Sequence, residues 1–339
     1  MVRRFEQYDL SPRNTFRMKA KCALYIEYDS VADLESLDFD SLPRPLLSIG
    51  EGSNLLFTRD FPGTVLCSRI SYVKFFDLGL DEVPVAAGAG VKFDALCARM
   101  CAEGLWGLEN LSLIPGTAGA AAVQNIGAYG VEFKDIASGV SCYDIQKRCK
   151  CSFKVEECAY GYRDSFFKRP ENKERYIVTG VLLRLSRKPV PRLDYGALRS
   201  FFPDGDPASP QAVRDAVIRT RREKLPDPME IGSAGSFFKN PVVPRAHYEA
   251  IVAAEGEAKV PHYDLPDGSV KIPAAWMIDR LGFKGKRRGG AAVHEKQPLV
   301  LINATGEASA EDILALEAEI CDAVEQRFGV RLHPEVEHL

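Results

Sequence analysis

The chain has 339 residues, of which 46% are apolar and 27% charged, and its net charge is −3. That length exceeds what one hydrophobic core organises, so two or three domains are expected, and the slightly acidic balance excludes a generic nucleic-acid binder, which is normally basic. The opening Met1-Val-Arg-Arg-Phe-Glu-Gln7 lacks the apolar core of a signal peptide and no apolar run approaches membrane-spanning length, so a cytoplasmic location without membrane insertion is expected.

In chain order, the first expected strand is 21–28, and a second is entered at Pro45-Leu-Leu-Ser-Ile49. It breaks at Gly50-Glu51-Gly52-Ser53-Asn54 and resumes at Leu55-Leu-Phe57. A strand-loop-strand is not the setting of a dinucleotide-binding GxGxxG, which must open a helix. Amides around the two glycines can still form an anion-binding nest, with Ser53 and Asn54 adding side-chain bonds; an ordinary hairpin loop explains the pattern equally well. Phe93, Leu96, Cys97, Met100 and Cys101 recur at helical spacing and predict an amphipathic helix over 91–103, closed by Gly104. Next comes a run of tiny side chains over 111–130, with Gln124 and Asn125 as its strong hydrogen-bonding residues. It suits either a flat ligand lying on the backbone or close packing of a helix on a strand.

Ser209-Pro210 reads as an N-cap and first turn. The helix that follows carries Val213, Ala216, Val217 and Thr220 and ends in Arg219, Arg221, Arg222 and Lys224, cations that complement a helix C-terminus and are expected in solvent. Gly232-Ser-Ala-Gly-Ser-Phe-Phe-Lys-Asn-Pro-Val-Val243 joins small residues, a hydroxyl, a cation and an amide in one apolar-flanked turn. Phe237 and Phe238 can anchor it while Ser236 faces a ligand; the alternative is a turn whose serine bonds its own backbone. A last helix begins at Ser309 with Asp312 as a partial capping box, buries Ile313, Leu316, Ile320, Val324 and Phe328, and stops at Gly329. The tail over 330–336 is an expected strand in which Glu335 is either edge protection or a perturbed acid. Nine cysteines, an odd number without a CxxC pair, read as reduced core thiols. The five histidines show no ligand spacing, so no metal is expected.

The ordered set Gly50-Glu-Gly-Ser-Asn54, Ile114-Pro-Gly-Thr-Ala-Gly119, Gln124-Asn-Ile-Gly-Ala-Tyr-Gly130, Tyr160-Gly-Tyr-Arg-Asp-Ser165, Lys224-Leu-Pro-Asp-Pro228, Gly232 to Pro241, Gly289-Gly-Ala-Ala-Val-His294 and Pro334-Glu-Val336 resembles the UDP-N-acetylenolpyruvoylglucosamine reductase family over nearly the whole chain. Tyr195-Gly196 is similar to the insert of the longer type. The resemblance implies an α+β fold: a two-subdomain FAD-binding module of the vanillyl-alcohol-oxidase (PCMH) type plus a C-terminal α+β substrate domain. The expected divisions are 1–68, joined by a C-terminal strand 330–339, then 69–225, and 226–329 over the substrate. It implies non-covalent FAD held by Gly50, Glu51, Gly52, Ser53, Asn54, Pro115, Gly116, Thr117, Gly119, Gln124, Asn125, Gly127, Ala128 and Tyr129. Its catalytic trio falls on Arg163, Ser236 and Glu335, and its substrate contacts on Tyr162, Tyr195, Lys224, Asn240 and Gln297. NADPH is implied as co-substrate, a UDP-sugar as substrate, and a monomer is expected. Ala121-Ala122 departs from the serines frequent in relatives, and the chain ends sooner after Glu335 than relatives of the longer type.

Residue chemistry fits these roles. Reduction of an enolpyruvyl ether needs a hydride at the terminal vinyl carbon, which a flavin supplies, and a proton at its neighbour. Negative charge passes through the carboxylate, where Arg163 offers a planar fork and a protonated Glu335 a donor. Ser236 would give the proton, helped by Lys239 or water. The run Lys284-Gly-Lys-Arg-Arg288 reads as a solvated loop or as a partner for NADPH phosphates. Two rival readings are a flavoprotein oxidase, which often tethers its flavin through His or Cys, and a UDP-sugar-binding module without chemistry.

Overall fold

The protein is described by a computed structural model covering every residue except 77, 197, 257 and 258. It divides into two compact units, one of Met1–Tyr8, Cys22–Glu51 and Phe61–Glu223, the other of Asp9–Lys21, Gly52–Asp60 and Lys224–Leu339.

In the first unit a four-stranded sheet runs in the order Arg3–Asp9, Lys21–Tyr28, Phe61–Ser68, Leu46–Ile49. Phe61–Ser68 is parallel to both its neighbours, and its face is nearly continuously buried, as a parallel strand requires. A five-stranded sheet follows in the order Cys149–Lys154, Ala137–Asp144, Tyr176–Ser186, Glu82–Gly88, Val73–Phe75, with every neighbouring pair antiparallel. The helix Phe93–Ala102 buries the five side chains that its spacing singled out. Phe93, Leu96 and Met100 each contribute about 1.5–3 kcal/mol of apolar burial. Its neighbour, the helix Ala118–Gln124, lies so close to the sheet that a Cβ on Gly119 would stand 2.8 Å from the Ala89 Cβ. On that side, the small-residue run is helix-on-strand packing.

The second unit holds an antiparallel sheet in the order Gly232–Ser236, Val300–Asn303, Ala291–Val293, Arg287–Arg288. A small sheet of Val242–Val243, Val270–Lys271 and Tyr263–Asp264 accompanies it. The helix Ala310–Phe328 starts at a reciprocal Ser309/Asp312 capping box and ends at a left-handed Gly329. The tail differs from expectation. Pairing is confined to Glu337–His338, which runs parallel to Leu55–Leu56, whereas Pro334, having no N–H to donate, makes a single bridge to Phe238. All cysteines are free thiols, fully buried except Cys149 and Cys151. Among the described residues no helix is long and apolar enough to cross a membrane.

Candidate active site

In the first unit the strand Leu46–Ile49 delivers the chain to Gly50, where a Cβ would meet the Thr117 Oγ1 at 2.6 Å. Only glycine permits that approach. The Glu51 carboxylate accepts the Gly116 N–H at 2.8 Å and pairs with Lys92 at 3.0 Å, so its side chain braces the Pro115-Gly116 loop. Thr117 stands extended as the N-cap of Ala118–Gln124, its hydroxyl accepting from the Ala120 amide, and Asn125 ends that helix in the left-handed region. Asn125 is consumed as a brace: its Nδ2 donates to the Gly161 carbonyl at 2.8 Å and to Glu132 at 3.1 Å, and its Oδ1 accepts the Lys134 amide. Gln124 accepts from Lys168 at 2.9 Å through Oε1, whereas its buried Nε2 has no partner among the described residues. Ala121 and Ala122 are buried in the core, so the departure from serine there falls on the packed side.

Arg163 adopts a left-handed backbone with φ 55°, donates from Nη2 to the Gly127 carbonyl at 2.7 Å and stands 5.5 Å over the Tyr162 ring. A Cβ on Gly127 would lie 3.0 Å from the Arg163 Nη1, so the glycine makes room for the guanidinium. Tyr129, also left-handed, meets Tyr195 edge to face at 6.4 Å, and Tyr195 keeps 42% of its surface in solvent. Ala128 belongs to the short Gly127–Ala128 strand that precedes Tyr129.

One functional candidate was missed. At the basic end of the helix Pro210–Lys224, Arg219 pairs with Glu223 and Arg222 and Lys224 are exposed, as expected of a solvated terminus. Arg221 is different: its Nε is buried and lacks an acceptor among the described residues. Burial pushes its pKa down and the Arg163 charge pushes the same way, against Tyr129 and Asp94. A buried guanidinium whose Nε donor is unmet fits an electron-rich oxygen of a bound group. The signal was available, because Arg221 falls four residues after Val217, on the buried stripe.

In the second unit Gly52 has φ +64° and its Cβ position would lie 2.1 Å from the Arg13 carbonyl oxygen, which excludes any side chain. Ser53 is half-buried. Asn54 ties down the C-terminal segment, its Nδ2 donating to the Glu335 carbonyl at 3.1 Å and its carbonyl accepting the Glu337 amide at 3.0 Å. The register of Gly232–Ser236 against Val300–Asn303 shifts between Ser233 and Ser236, and Gly235 takes φ +72°. Such an irregularity re-aims the residue after it. Phe237 and Phe238 are buried anchors. The Phe237 carbonyl accepts the Glu335 N–H at 2.8 Å, and the Lys239 N–H donates to the His333 carbonyl at 2.9 Å. Ser236 and Glu335 are thereby held on adjoining, mutually bonded segments. Asn240 spends its Oδ1 on the Ala274 amide at 3.0 Å, and Gln297 donates its N–H to the His294 Nδ1 at 3.2 Å. Within the basic run, Lys284 pairs with Asp279 and Lys286 with Glu319, while Arg287 and Arg288 are exposed.

The site residues are thus joined in two sets, Arg163 with Gly127 and Tyr162 in the first unit, and Ser236 with Glu335 and Asn54 in the second. A family model for the C-terminal domain of UDP-N-acetylenolpyruvoylglucosamine reductase matches residues 227–339, and one for an FAD binding domain matches residues 38–146. The chain is 46% identical over 333 residues to the UDP-N-acetylenolpyruvoylglucosamine reductase of Bacteroides fragilis, covering 98% of both. To that of Chromobacterium violaceum it is 44% identical over 332 residues, covering 96% of both. The crystal structure of UDP-N-acetylenolpyruvylglucosamine reductase from Thermus caldophilus covers 100% of this chain and 98% of its own, with a TM-score of 0.69 at 23% identity, a likeness of fold.

Proposed function

Because this chain belongs to the UDP-N-acetylenolpyruvoylglucosamine reductase family, we infer that it reduces UDP-N-acetylglucosamine enolpyruvate to UDP-N-acetylmuramate with Arg163, Ser236 and Glu335 as its catalytic groups. The chain is an FAD-dependent oxidoreductase of peptidoglycan precursor synthesis, takes NADPH as co-substrate, and has the PCMH-type FAD-binding fold. The residues present fit the flavin: a buried amide donor on Gln124 and a buried guanidinium on Arg221 each carry a polar atom that no described residue meets. The bound flavin supplies the hydride. Glu51 and Asn125 enter the proposal as braces of the cradle, since their side chains are already committed.

The observation that carries the catalytic assignment is the backbone bond between Glu335 and the residue after Ser236. It holds the backbones of Ser236 and Glu335 on adjoining segments, and the bond itself uses neither side chain. Arg163, steadied by the Gly127 carbonyl, takes the substrate carboxylate in its fork. Glu335 in its acid form donates to the same carboxylate as charge develops there, and Ser236 delivers a proton to the neighbouring carbon. Lys224 takes the diphosphate, Tyr195 and Tyr162 close over the nucleotide-sugar, and Asn240 and Gln297 complete its contacts. We assign the three-part division at 68/69 and 225/226, a monomeric state and a cytoplasmic location to the same proposal. Sedimentation at working concentration checks the monomer.

Purified protein should be yellow, and acid precipitation should release the chromophore into the supernatant. Colour that stays with the pellet would instead mark a tethered flavin, as in the oxidases. Anaerobic titration with NADPH and then with the enolpyruvyl substrate should bleach and restore the spectrum; a binding module would do neither. Tyr195→Ala and Lys224→Ala should mainly raise the KM for the enolpyruvyl substrate, because a lid and a diphosphate cation bind ground state and transition state alike. An unchanged KM in both variants contradicts the assignment.

A further inference from the structure

The C-terminal segment ends in a buried polar contact that the reaction itself does not use. His338 pairs with Leu56 in the parallel Leu55–Leu56 ladder, and its Nε2 lies 3.3 Å from the Glu317 Oε2 on the helix Ala310–Phe328. Both atoms are buried and neither has a well-aligned hydrogen bond. The imidazole also lies 5.9 Å from the Phe237 ring, the residue whose carbonyl holds the Glu335 amide. One end of this segment therefore carries Glu335 and the other is pinned against Glu317.

Resting on the assignment of Glu335 above, we propose that Glu317 and His338 share one buried proton and act as positioning residues that hold the C-terminal segment, and with it Glu335, in register beside Ser236. With one proton between them the pair is either acid and imidazole or carboxylate and imidazolium, and both forms are neutral overall. Loss of that proton leaves a buried carboxylate with no cation, and gain of a second leaves a buried imidazolium with no anion; both states are costly in a poorly solvated site. Along the helix Glu319 is paired with Lys286 and Cys321 is itself pushed up to about 11 by burial, and near it Arg331 is already engaged by Glu325 and Asp322. The facing strand Leu55–Leu56 and the Phe237 ring bring no ionisable group, and the acids of the segment itself are Glu335, Glu337 and the Leu339 carboxylate, the last accepting from the Thr58 amide and hydroxyl.

Burial pushes the Glu317 carboxyl up to about 7 and holds the His338 imidazole below its ordinary value, so the two titrations approach each other. The folded protein keeps on Glu317 a proton that the unfolded chain releases from an ordinary value of 4.5 upward, so this group's stabilising contribution falls as pH rises to about 7. For His338 the sign is opposite, and stability falls as pH drops below the unfolded imidazole's range.

The test uses the FAD-loaded enzyme. Glu317→Gln keeps shape and a neutral partner for His338, so its melting temperature should lose less than wild type between pH 6 and 8.5. Its reoxidation by the enolpyruvyl substrate should also lose any ionisation near neutrality that wild type shows. Glu317→Ala and His338→Ala should slow reoxidation about 10-fold through misplacement of Glu335, leaving reduction by NADPH unchanged. Should the alanine variants fail to fold, Glu317→Gln and His338→Gln still decide. Identical pH profiles of melting and reoxidation in Glu317→Gln and wild type overturn the shared proton. Unaltered reoxidation in the alanine variants overturns the positioning role. Normal turnover in Glu335→Gln alongside a flattened melting profile in Glu317→Gln removes the assignment of Glu335, and with it the positioning role, while leaving the shared proton standing.

Discussion

A Ser236→Ala variant should be reduced by NADPH at close to the wild-type rate, while its reoxidation by the enolpyruvyl substrate slows roughly 10² to 10⁴-fold, the reach of one general acid. The proposed hydroxyl acts only when a proton must reach carbon, so the two halves of the cycle separate. Its setting makes the substitution clean: Phe237 and Phe238 anchor the turn from the buried side and Ser236 is held in the sheet through its backbone against Val300. Removing one oxygen leaves those anchors in place. Ser236→Cys should restore part of the rate through a more acidic group. Rapid-mixing traces in which both half-reactions slow equally, or neither does, return Ser236 to the role of a turn residue and place the proton elsewhere.

Glu335→Gln should bind the enolpyruvyl substrate and turn it over slowly, with a loss on the order of 10²-fold or more, by analogy with removal of one donor to a developing oxyanion. The amide preserves shape and can still donate a hydrogen bond, but it cannot serve as an acid. The backbone bonds from Glu335 to the Phe237 carbonyl and from the Asn54 side chain to the Glu335 carbonyl do not involve the side chain, so they persist in the variant. Near-normal turnover would make Glu335 an edge-protecting carboxylate. An equal rise in KM without loss of kcat would make it a binding group for the ground state.

The helices Phe93–Ala102 and Ala310–Phe328 could be read from the sequence to within two residues at each end, because a repeat of apolar side chains, a serine cap and a terminal glycine are all local signals. The need for glycine at Gly50 and Gly52 was equally readable, since each answers to a close approach of the protein's own Thr117 or Arg13 that a side chain would block. What a given side chain does with its polar atoms was a different matter. Glu51, Asn125 and Asn240 looked like ligand contacts and turned out to be partly or wholly committed to the backbone of Gly116, Gly161 and Ala274. Arg221 looked solvated and is buried at Nε without an acceptor. Each of these outcomes depends on groups far along the chain, which periodicity and propensity do not register. The tail is the clearest case: the strand expected over 330–336 is reduced to a bridge from Pro334 to Phe238, and strand pairing falls at Glu337–His338, with Leu55–Leu56 some 280 residues earlier in the chain. Composition and spacing determine which segments want to be helix, strand or turn; the long-range pairing of backbones, and the competition for each buried donor and acceptor, determine which residues remain free to meet a ligand.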